Sequence, residues 1–126
     1  QARPQRTGRI EPRVRELPDA WRQIAFHREP SGDLRLDSRY RRGVEFRRLD
    51  IRREAPEGPF DLILCRNLAF TYFDDAGQRA CLDRLLAVLA PTGWLGIGGH
   101  ETLPAGAPFA PHPREASLHL LPTMRR

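Results

Sequence analysis

The sequence predicts an α/β fold in which a helix connects two apolar, parallel strands of one sheet. The run FDLILC at residues 60–65 is apolar without alternation, which is typical of a central strand buried on both faces. A helix is indicated downstream by leucines at helical spacing, at Leu82, Leu85, Leu86 and Leu89. A second apolar strand follows in GWLGIGG. Because strand, helix and strand follow in this order, a right-handed crossover with parallel strands is expected.

The first third of the chain predicts a helix end, a short helix and a hairpin. Residues 1–16 resemble the end of a helix followed by a turn at TGRIEP. Pro18 suits the first position of a new helix, and Trp21, Ile24 and Ala25 give that helix an apolar face. EPSGDLRLD combines turn residues with alternation, which indicates a small hairpin. Residues 17–42 are therefore predicted to form a short helix and a small hairpin, and residues 43–121 the core of sheet and helix.

Three further elements complete the predicted core. GVEFRRLDI at residues 43–51 alternates apolar and charged residues and ends on Asp50, which predicts a strand with one solvated face. Asp74 or Asp75 can cap the leucine helix, which should end near Pro91 and Gly93, before a strand over residues 94–98. The tail is too rich in proline for a helix, but EASLHLL predicts a last antiparallel edge strand.

Length and charge limit the class of protein. The 126 residues suffice for one modest domain, or for part of one. All 21 basic residues are arginine, and 15 of them lie in the first 53 positions against 8 acidic residues, which gives that part about +7. Two interpretations stay open: these arginines hold an acidic partner, or they are spread over solvated faces. Nucleic acid is disfavoured because no zinc-finger spacing or aromatic-interleaved basic patch accompanies the charge.

Several other classes are disfavoured by composition. No apolar stretch approaches the roughly 20 residues of a membrane span, and the arginine-rich start has no hydrophobic signal core. Cys65 and Cys81 lie in apolar segments without a CxxC pair, so both are interpreted as reduced core thiols. A cytoplasmic location is expected. The four histidines have no metal-ligand spacing, so no metal is expected. The sequence leaves the oligomeric state open.

Polar residues stand at the ends of all three predicted core strands. The strands end on Asp50, on the CRN of residues 65–67, and on the GGHE of residues 98–101. Ligands of open α/β sheets bind beyond the carboxyl ends of the strands. The sequence therefore predicts a cleft lined by Asp50, Arg66, Asn67 and Glu101. The alternative interpretation is that these are ordinary loop residues.

The segment GPFDLILCRNLAFTYFDDAGQRACLDRLLAVLAPTGWLGIGGHETL resembles the C-terminal half of the CheR-type methyltransferases. This family uses S-adenosylmethionine (SAM) to esterify glutamate side chains of bacterial chemoreceptors. Its members carry an FDLI-x-CRN strand, a Tyr-Phe pair, a helix with QR and paired leucines, and a strand ending in GHSE. With the weaker upstream similarity, the resemblance covers roughly residues 8–121.

The resemblance implies a partial class I methyltransferase (Rossmann-like) sheet that lacks its first strands, with a small antiparallel insertion at residues 17–42 and SAM as cofactor. Asp50 and Ile51 stand where the family contacts the adenine, with Asp50 in place of the usual Asn. Arg66 and Asn67 match the CRN that borders the methionine and ribose. Tyr72 matches the tyrosine close to the transferring methyl group and is the predicted catalytic residue; the alternative is an aromatic side chain packed beneath a helix.

The resemblance also implies a partner and a limit. The expected substrate is a protein carboxylate, such as a chemoreceptor-like glutamate. The glycine-rich loop and the ribose-binding acid of the family would precede residue 1, so the chain is interpreted as a C-terminal fragment that binds SAM poorly by itself. The alternative function is a catalytically inactive remnant, or an arginine-rich binding module for an acidic partner.

Overall fold

A computed structural model of the chain describes residues 14–120. The chain divides into two compact units between residues 47 and 48. Helices and strands occur in both units, so the predicted α/β class is confirmed in its coarse form. The predicted helix end and TGRIEP turn lie at residues 1–13, outside the described residues, as does Leu121 of the predicted last strand.

The first unit contains the predicted helix and hairpin. Its four elements are α1 (Asp19–Ala25), β1 (Phe26–Arg28), β2 (Leu34–Leu36) and α2 (Ser38–Arg41). β1 and β2 are antiparallel, with Phe26 opposite Leu36. Gly32, with φ +88°, supplies the left-handed residue that the turn between them needs. The predicted helix and hairpin are confirmed, with Pro18 as the N-cap and not the first helical residue.

The predicted strand over residues 43–51 is wrong. Residues 44–50 are assigned to no helix or strand, and the chain then turns at Asp50, whose carbonyl accepts a hydrogen bond from the Arg53 amide at 2.9 Å. Phe46 is 81% exposed. A strand exists only through backbone pairing with a neighbour. No strand of the described part of the chain pairs with this segment, so its alternation leads to no sheet.

The second unit contains one mixed sheet. Its strands lie in the order β3-β4-β6-β5, with β3 parallel to β4 and the other neighbours antiparallel. Leu62 lies opposite Trp94, and Leu64 opposite Gly96. The elements of this unit are β3 (Phe60–Leu64), α3 (Ala69–Tyr72), α4 (Asp75–Val88), β4 (Leu89–Gly96), β5 (Ala110–His112) and β6 (Glu115–Leu120).

Helix α4 makes the predicted crossover between the two parallel strands. Its N-cap is Asp74, whose side chain accepts a hydrogen bond from the Gly77 amide at 2.8 Å. The leucine face of α4 is buried in the core together with Leu95 and Ile97, which are almost fully inaccessible. The strand, helix and strand unit predicted from periodicity is therefore confirmed.

The positions of three strands differ from prediction. β3 is an outer strand of the described sheet and not a central one, because it pairs with β4 alone. Its side chains Leu62 and Leu64 are 54% and 63% exposed. β4 begins at Leu89, directly after α4, so Pro91 and Gly93 lie within it. β6 is antiparallel as predicted, but the hairpin strand β5 takes the edge position.

Candidate functional site

A sharp turn follows β3 and leads into the short helix α3. The Cys65 amide still pairs with the Gly96 carbonyl, at 2.9 Å. Two residues later, Asn67 has φ +51°. This left-handed conformation is uncommon for residues other than glycine, and asparagine is among those that tolerate it best. The turn therefore directs the chain across the carboxyl ends of β3 and β4.

The carboxylate of Glu101 holds this turn. Its Oε2 accepts hydrogen bonds from the Asn67 amide at 3.0 Å and from the Gly98 amide at 2.5 Å. Its Oε1 accepts one from the Thr71 hydroxyl at 2.5 Å. The Leu68 amide also stabilises the charge. One side chain thus joins the ends of two parallel strands to helix α3, and we call this arrangement the Glu101 clamp.

The clamp favours the ionised form of Glu101. Partial burial of the carboxyl group is the largest single influence and opposes ionisation. The hydrogen bonds from Thr71, Gly98, Asn67 and Leu68 together outweigh burial, so the pKa of Glu101 is lowered. The stabilisation is fully present above the ordinary glutamate pKa of about 4.3, and it is lost as the pH falls through the lower pKa of the folded state.

Glycine at position 98 leaves room for the clamp. A Cβ atom at Gly98 would lie 2.6 Å from Oδ1 of Asn67 and 2.8 Å from Oε2 of Glu101. Both distances are shorter than van der Waals contact. Any larger residue would displace the two side chains that meet at the ends of the strands.

The structure brings Asn67 and Glu101 of the predicted cleft together. Arg66 precedes Asn67 and is exposed, and Tyr72 ends helix α3 with 75% of its surface exposed. The side chains of Arg66 and Tyr72 are thus accessible beside the Glu101 clamp. The cofactor-binding roles of Arg66 and Asn67 and the catalytic role of Tyr72 stay predictions.

Asp50 and Ile51 lie in the turn that precedes β3. Both carboxylate oxygens of Asp50 accept hydrogen bonds from the Arg52 guanidinium, at 2.9 and 2.8 Å, and the Arg52 amide lies 3.0 Å away. These bonds lower the pKa of Asp50 to about 2. Ile51 packs against the core of the second unit. No hydrogen bond within the described residues joins Asp50 to Asn67 or Glu101, and the adenine-binding roles of Asp50 and Ile51 stay predictions.

Sequence reasoning named Glu101 as a lining residue and missed its partners Thr71 and Gly98. The contact between Gly98 and Glu101 could have been predicted from their spacing in the sequence. Gly98 and Glu101 are three residues apart, and the Glu101 amide closes a turn on the Gly98 carbonyl at 3.0 Å. A glutamate in that turn can return its carboxylate to the free amide at the strand end.

The cysteines form a second polar pair inside the core. Cys65 and Cys81 are both buried and reduced, and their thiols are hydrogen-bonded to each other. The bond from Cys81 lowers the pKa of Cys65 to about 7. The same bond, together with burial, raises the pKa of Cys81. Ionisation of this pair is therefore favoured at Cys65.

In residues 14–120, no helix is long and apolar enough to cross a membrane. That part of the chain also holds no group of three or more histidine, cysteine, aspartate or glutamate residues arranged to bind a metal ion.

Comparison with known proteins identifies the family. The family model described as the SAM-binding domain of CheR methyltransferase matches residues 9–114. Curated relatives include the chemotaxis protein methyltransferase of Listeria monocytogenes serovar 1/2a, 33% identical over 90 residues, which are 71% of this chain and 34% of the relative. The Listeria innocua serovar 6a protein of the same name gives the same figures.

A third relative is chemotaxis protein methyltransferase 2 of Vibrio cholerae serotype O1, 30% identical over 93 residues, which are 71% of this chain and 32% of the relative. The chain thus spans about a third of the length of these relatives. The resemblance drawn from CRN and GGHE is confirmed, and SAM is the cofactor expected of the family. The chain belongs to the CheR methyltransferase family, within its SAM-binding domain.

Proposed function

We propose that residues 1–126 are the C-terminal portion of a CheR-type, SAM-dependent methyltransferase domain that methylates glutamate side chains of a protein substrate. The observation that carries the proposal is the Glu101 clamp, at the carboxyl ends of two parallel strands, in a chain of a SAM-binding family. Ligands of open α/β sheets bind at this end of the strands. A cytoplasmic location, where chemoreceptor glutamates would be accessible, belongs to the same proposal.

The sheet supports the finer expectation of a class I, Rossmann-like fold. The parallel pair β3 and β4, connected by a helix, is the unit from which such sheets are built. β3 is an outer strand with exposed Leu62 and Leu64. An exposed apolar strand at a sheet edge is usually covered or paired in native proteins. This edge suits further parallel strands of the same domain, including the one expected to carry the glycine-rich loop.

The available side chains fit a SAM site. Arg66 and Asn67 present a guanidinium and a carboxamide that can bind the carboxylate and hydroxyl groups of the methionine and ribose parts. Tyr72 offers an aromatic face and a hydroxyl from the end of α3. Ile51 suits the apolar face of adenine. Asp50 can accept a hydrogen bond from the adenine amino group only after one of its oxygens leaves Arg52.

Methyl transfer to a carboxylate requires little from these residues beyond alignment of the two reactants. SAM supplies an electrophilic methyl group on a sulfonium, and the bonding electron pair stays on sulfur as a glutamate carboxylate oxygen forms the new bond to carbon. The carboxylate is already ionised near neutral pH, so no general base is needed. The protein residues therefore hold the carboxylate in line and exclude water. In this proposal Tyr72, whose side chain is exposed, lies close to the transferring methyl group.

Methyl transfer tests the proposal directly. The full-length gene product is incubated with methyl-labelled SAM and a chemoreceptor cytoplasmic fragment, and base-labile label is measured because methyl esters hydrolyse in base. We expect base-labile incorporation that disappears when the receptor glutamates are changed to alanine. Absence of base-labile label would contradict the proposal. Residues 1–126 alone are expected to bind SAM poorly, and micromolar affinity by isothermal titration would refute that part.

The second candidate function, an arginine-rich module for an acidic partner, is favoured by the positive charge of the first 53 residues. Several of these arginines are paired with neighbouring acids, as in Arg47 with Glu45 at 2.6 Å and Arg39 with Asp37 at 3.1 Å. Pairing of this kind reduces the charge available to a partner. Binding that weakens steeply with salt and does not depend on SAM would favour the module.

A further inference from the structure

We infer that Glu101 is the positioning residue of the cofactor site, whose ionised carboxylate fixes the relative placement of Asn67 and Tyr72. The inference rests on the proposed function, because Asn67 and Tyr72 are the residues expected to contact SAM. Glu101 itself would not touch the cofactor. Its carboxylate is occupied by donors from the protein, and its effect would act through the loop that it holds.

The Glu101 clamp contacts both ends of the segment 67–72, which carries the two residues expected to contact SAM. At one end, Oε2 receives the amide of Asn67, the residue with positive φ. At the other end, Oε1 receives the hydroxyl of Thr71, which is adjacent to Tyr72. Between them the backbone is closed into one helical turn, since the Tyr72 amide donates to the Leu68 carbonyl at 3.0 Å. The two predicted ligand residues are thus held at the ends of one segment by one carboxylate.

The clamp also sets this segment against the neighbouring strand. The 2.5 Å bond from the Gly98 amide joins the same Oε2 atom to the residues that follow β4. α3 is only four residues long and has no side-chain N-cap, so it has little stability of its own. Without Glu101, the amides of Asn67 and Gly98 would lose their acceptor, and the bond from the Cys65 amide to the Gly96 carbonyl would be left to join the two strand ends.

Only an ionised glutamate matches this set of donors. Four protein groups direct N–H or O–H bonds at the carboxylate, and a carboxylate is an acceptor at both oxygens. Glutamine has the same length but replaces one oxygen with an NH2 group, which cannot accept from amides. Aspartate keeps the charge but is one methylene shorter. Glu101→Gln therefore changes the acceptor set without removing volume.

The first experiment measures SAM affinity of the full-length gene product by isothermal titration. Glu101→Gln is expected to weaken SAM binding at least about tenfold, the effect of losing one hydrogen bond to a charged acceptor. Thr71→Val should weaken it in the same direction, and Thr71→Ser, which restores the hydroxyl, should bind like the wild type. Glu45→Gln is the matched control, because Glu45 accepts from Arg47, two residues away, and belongs to the first compact unit.

The second experiment follows amide hydrogen exchange in the full-length gene product, without SAM. Glu101→Gln should increase exchange at the Asn67, Leu68 and Gly98 amides by about tenfold or more, while amides in α4 keep their wild-type rates. Glu45→Gln should leave the three site amides unchanged. Unchanged exchange in Glu101→Gln would overturn the clamp. A general increase that includes α4 would also overturn it, because Glu101 would then stabilise the whole fold and position nothing in particular.

The two experiments separate this inference from the proposed function. If the wild-type protein does not bind SAM, the proposed function fails, and the role of Glu101 in a cofactor site fails with it. If the wild type binds SAM and Glu101→Gln binds equally well, the proposed function survives and the inference about Glu101 is wrong. Weaker SAM binding together with faster exchange confined to the three amides supports both.

Discussion

Replacing Gly98 by alanine tests the packing of the Glu101 clamp without changing any hydrogen-bonding group. The new Cβ would lie 2.6 Å from Oδ1 of Asn67 and 2.8 Å from Oε2 of Glu101. Both atoms end flexible side chains, so they can move away and the steric clash itself is relieved. Movement of Oε2, however, breaks its bonds to the Gly98 and Asn67 amides. The loss of one hydrogen bond to a charged group is worth about 1.5–3 kcal/mol.

The assay is urea unfolding of residues 1–126 followed by circular dichroism. We expect the free energy of unfolding of Gly98→Ala to fall by about 1.5–3 kcal/mol, with an unchanged slope. Gly99→Ala is the matched control, because a Cβ at Gly99 meets no atom within 4 Å and its backbone is not left-handed. That variant should stay within about 0.5 kcal/mol of the wild type. Equal stability of the two variants would refute the reasoning.

Three further predictions concern the core, the helix and the thiols. Leu95→Ala should lower the free energy of unfolding by about 2–5 kcal/mol, because Leu95 is fully buried, whereas Leu64→Ala at an exposed position should have a much smaller effect in the same urea assay. Asp74→Ala removes the N-cap of α4 and should lower it by about 0.5–2 kcal/mol, and an unchanged melting curve would contradict the cap. The thiol pair should lose one proton at about pH 7, seen as a shift of the labelled Cys65 Cβ resonance. Because the unfolded thiol titrates at about pH 8.5, the stability gained from this ionisation is fully present above pH 8.5 and is lost as the pH falls through 7. A Cys65 resonance that titrates only above pH 8.5, or a Cys81→Ser variant with the same midpoint, would contradict the pairing.

Local periodicity predicted the elements whose stability is local. The leucine spacing of α4 and the capping aspartate before it are properties of neighbouring residues, and both are confirmed. The hairpin of β1 and β2 depends on turn chemistry in the same way. Residues 43–51 carry an equally clear alternation, yet no strand forms, because alternation specifies a face and not a pairing partner. The apolar run of β3 likewise specifies no pairing partners, and in the described sheet β3 pairs with β4 alone.

The candidate site was predictable in outline only. The rule that ligands meet the carboxyl ends of strands placed Asn67 and Glu101 together correctly. It could not reveal that the Glu101 carboxylate holds the loop, since the donors from Asn67 and Thr71 are 34 and 30 residues away in sequence. Asp50 shows the opposite case. Its carboxylate is bonded to Arg52, two residues away, an interaction that neighbouring charges in the sequence could have indicated.

The measurement that tests the central claim most directly is photo-crosslinking of methyl-labelled SAM to the full-length gene product, followed by peptide mapping. The account predicts label in the peptide that contains Asn67 and Tyr72, protection by excess unlabelled SAM, and strongly reduced label in Glu101→Gln. Label confined to residues 1–47, or label that unlabelled SAM does not displace, would contradict a cofactor site at the carboxyl ends of β3 and β4.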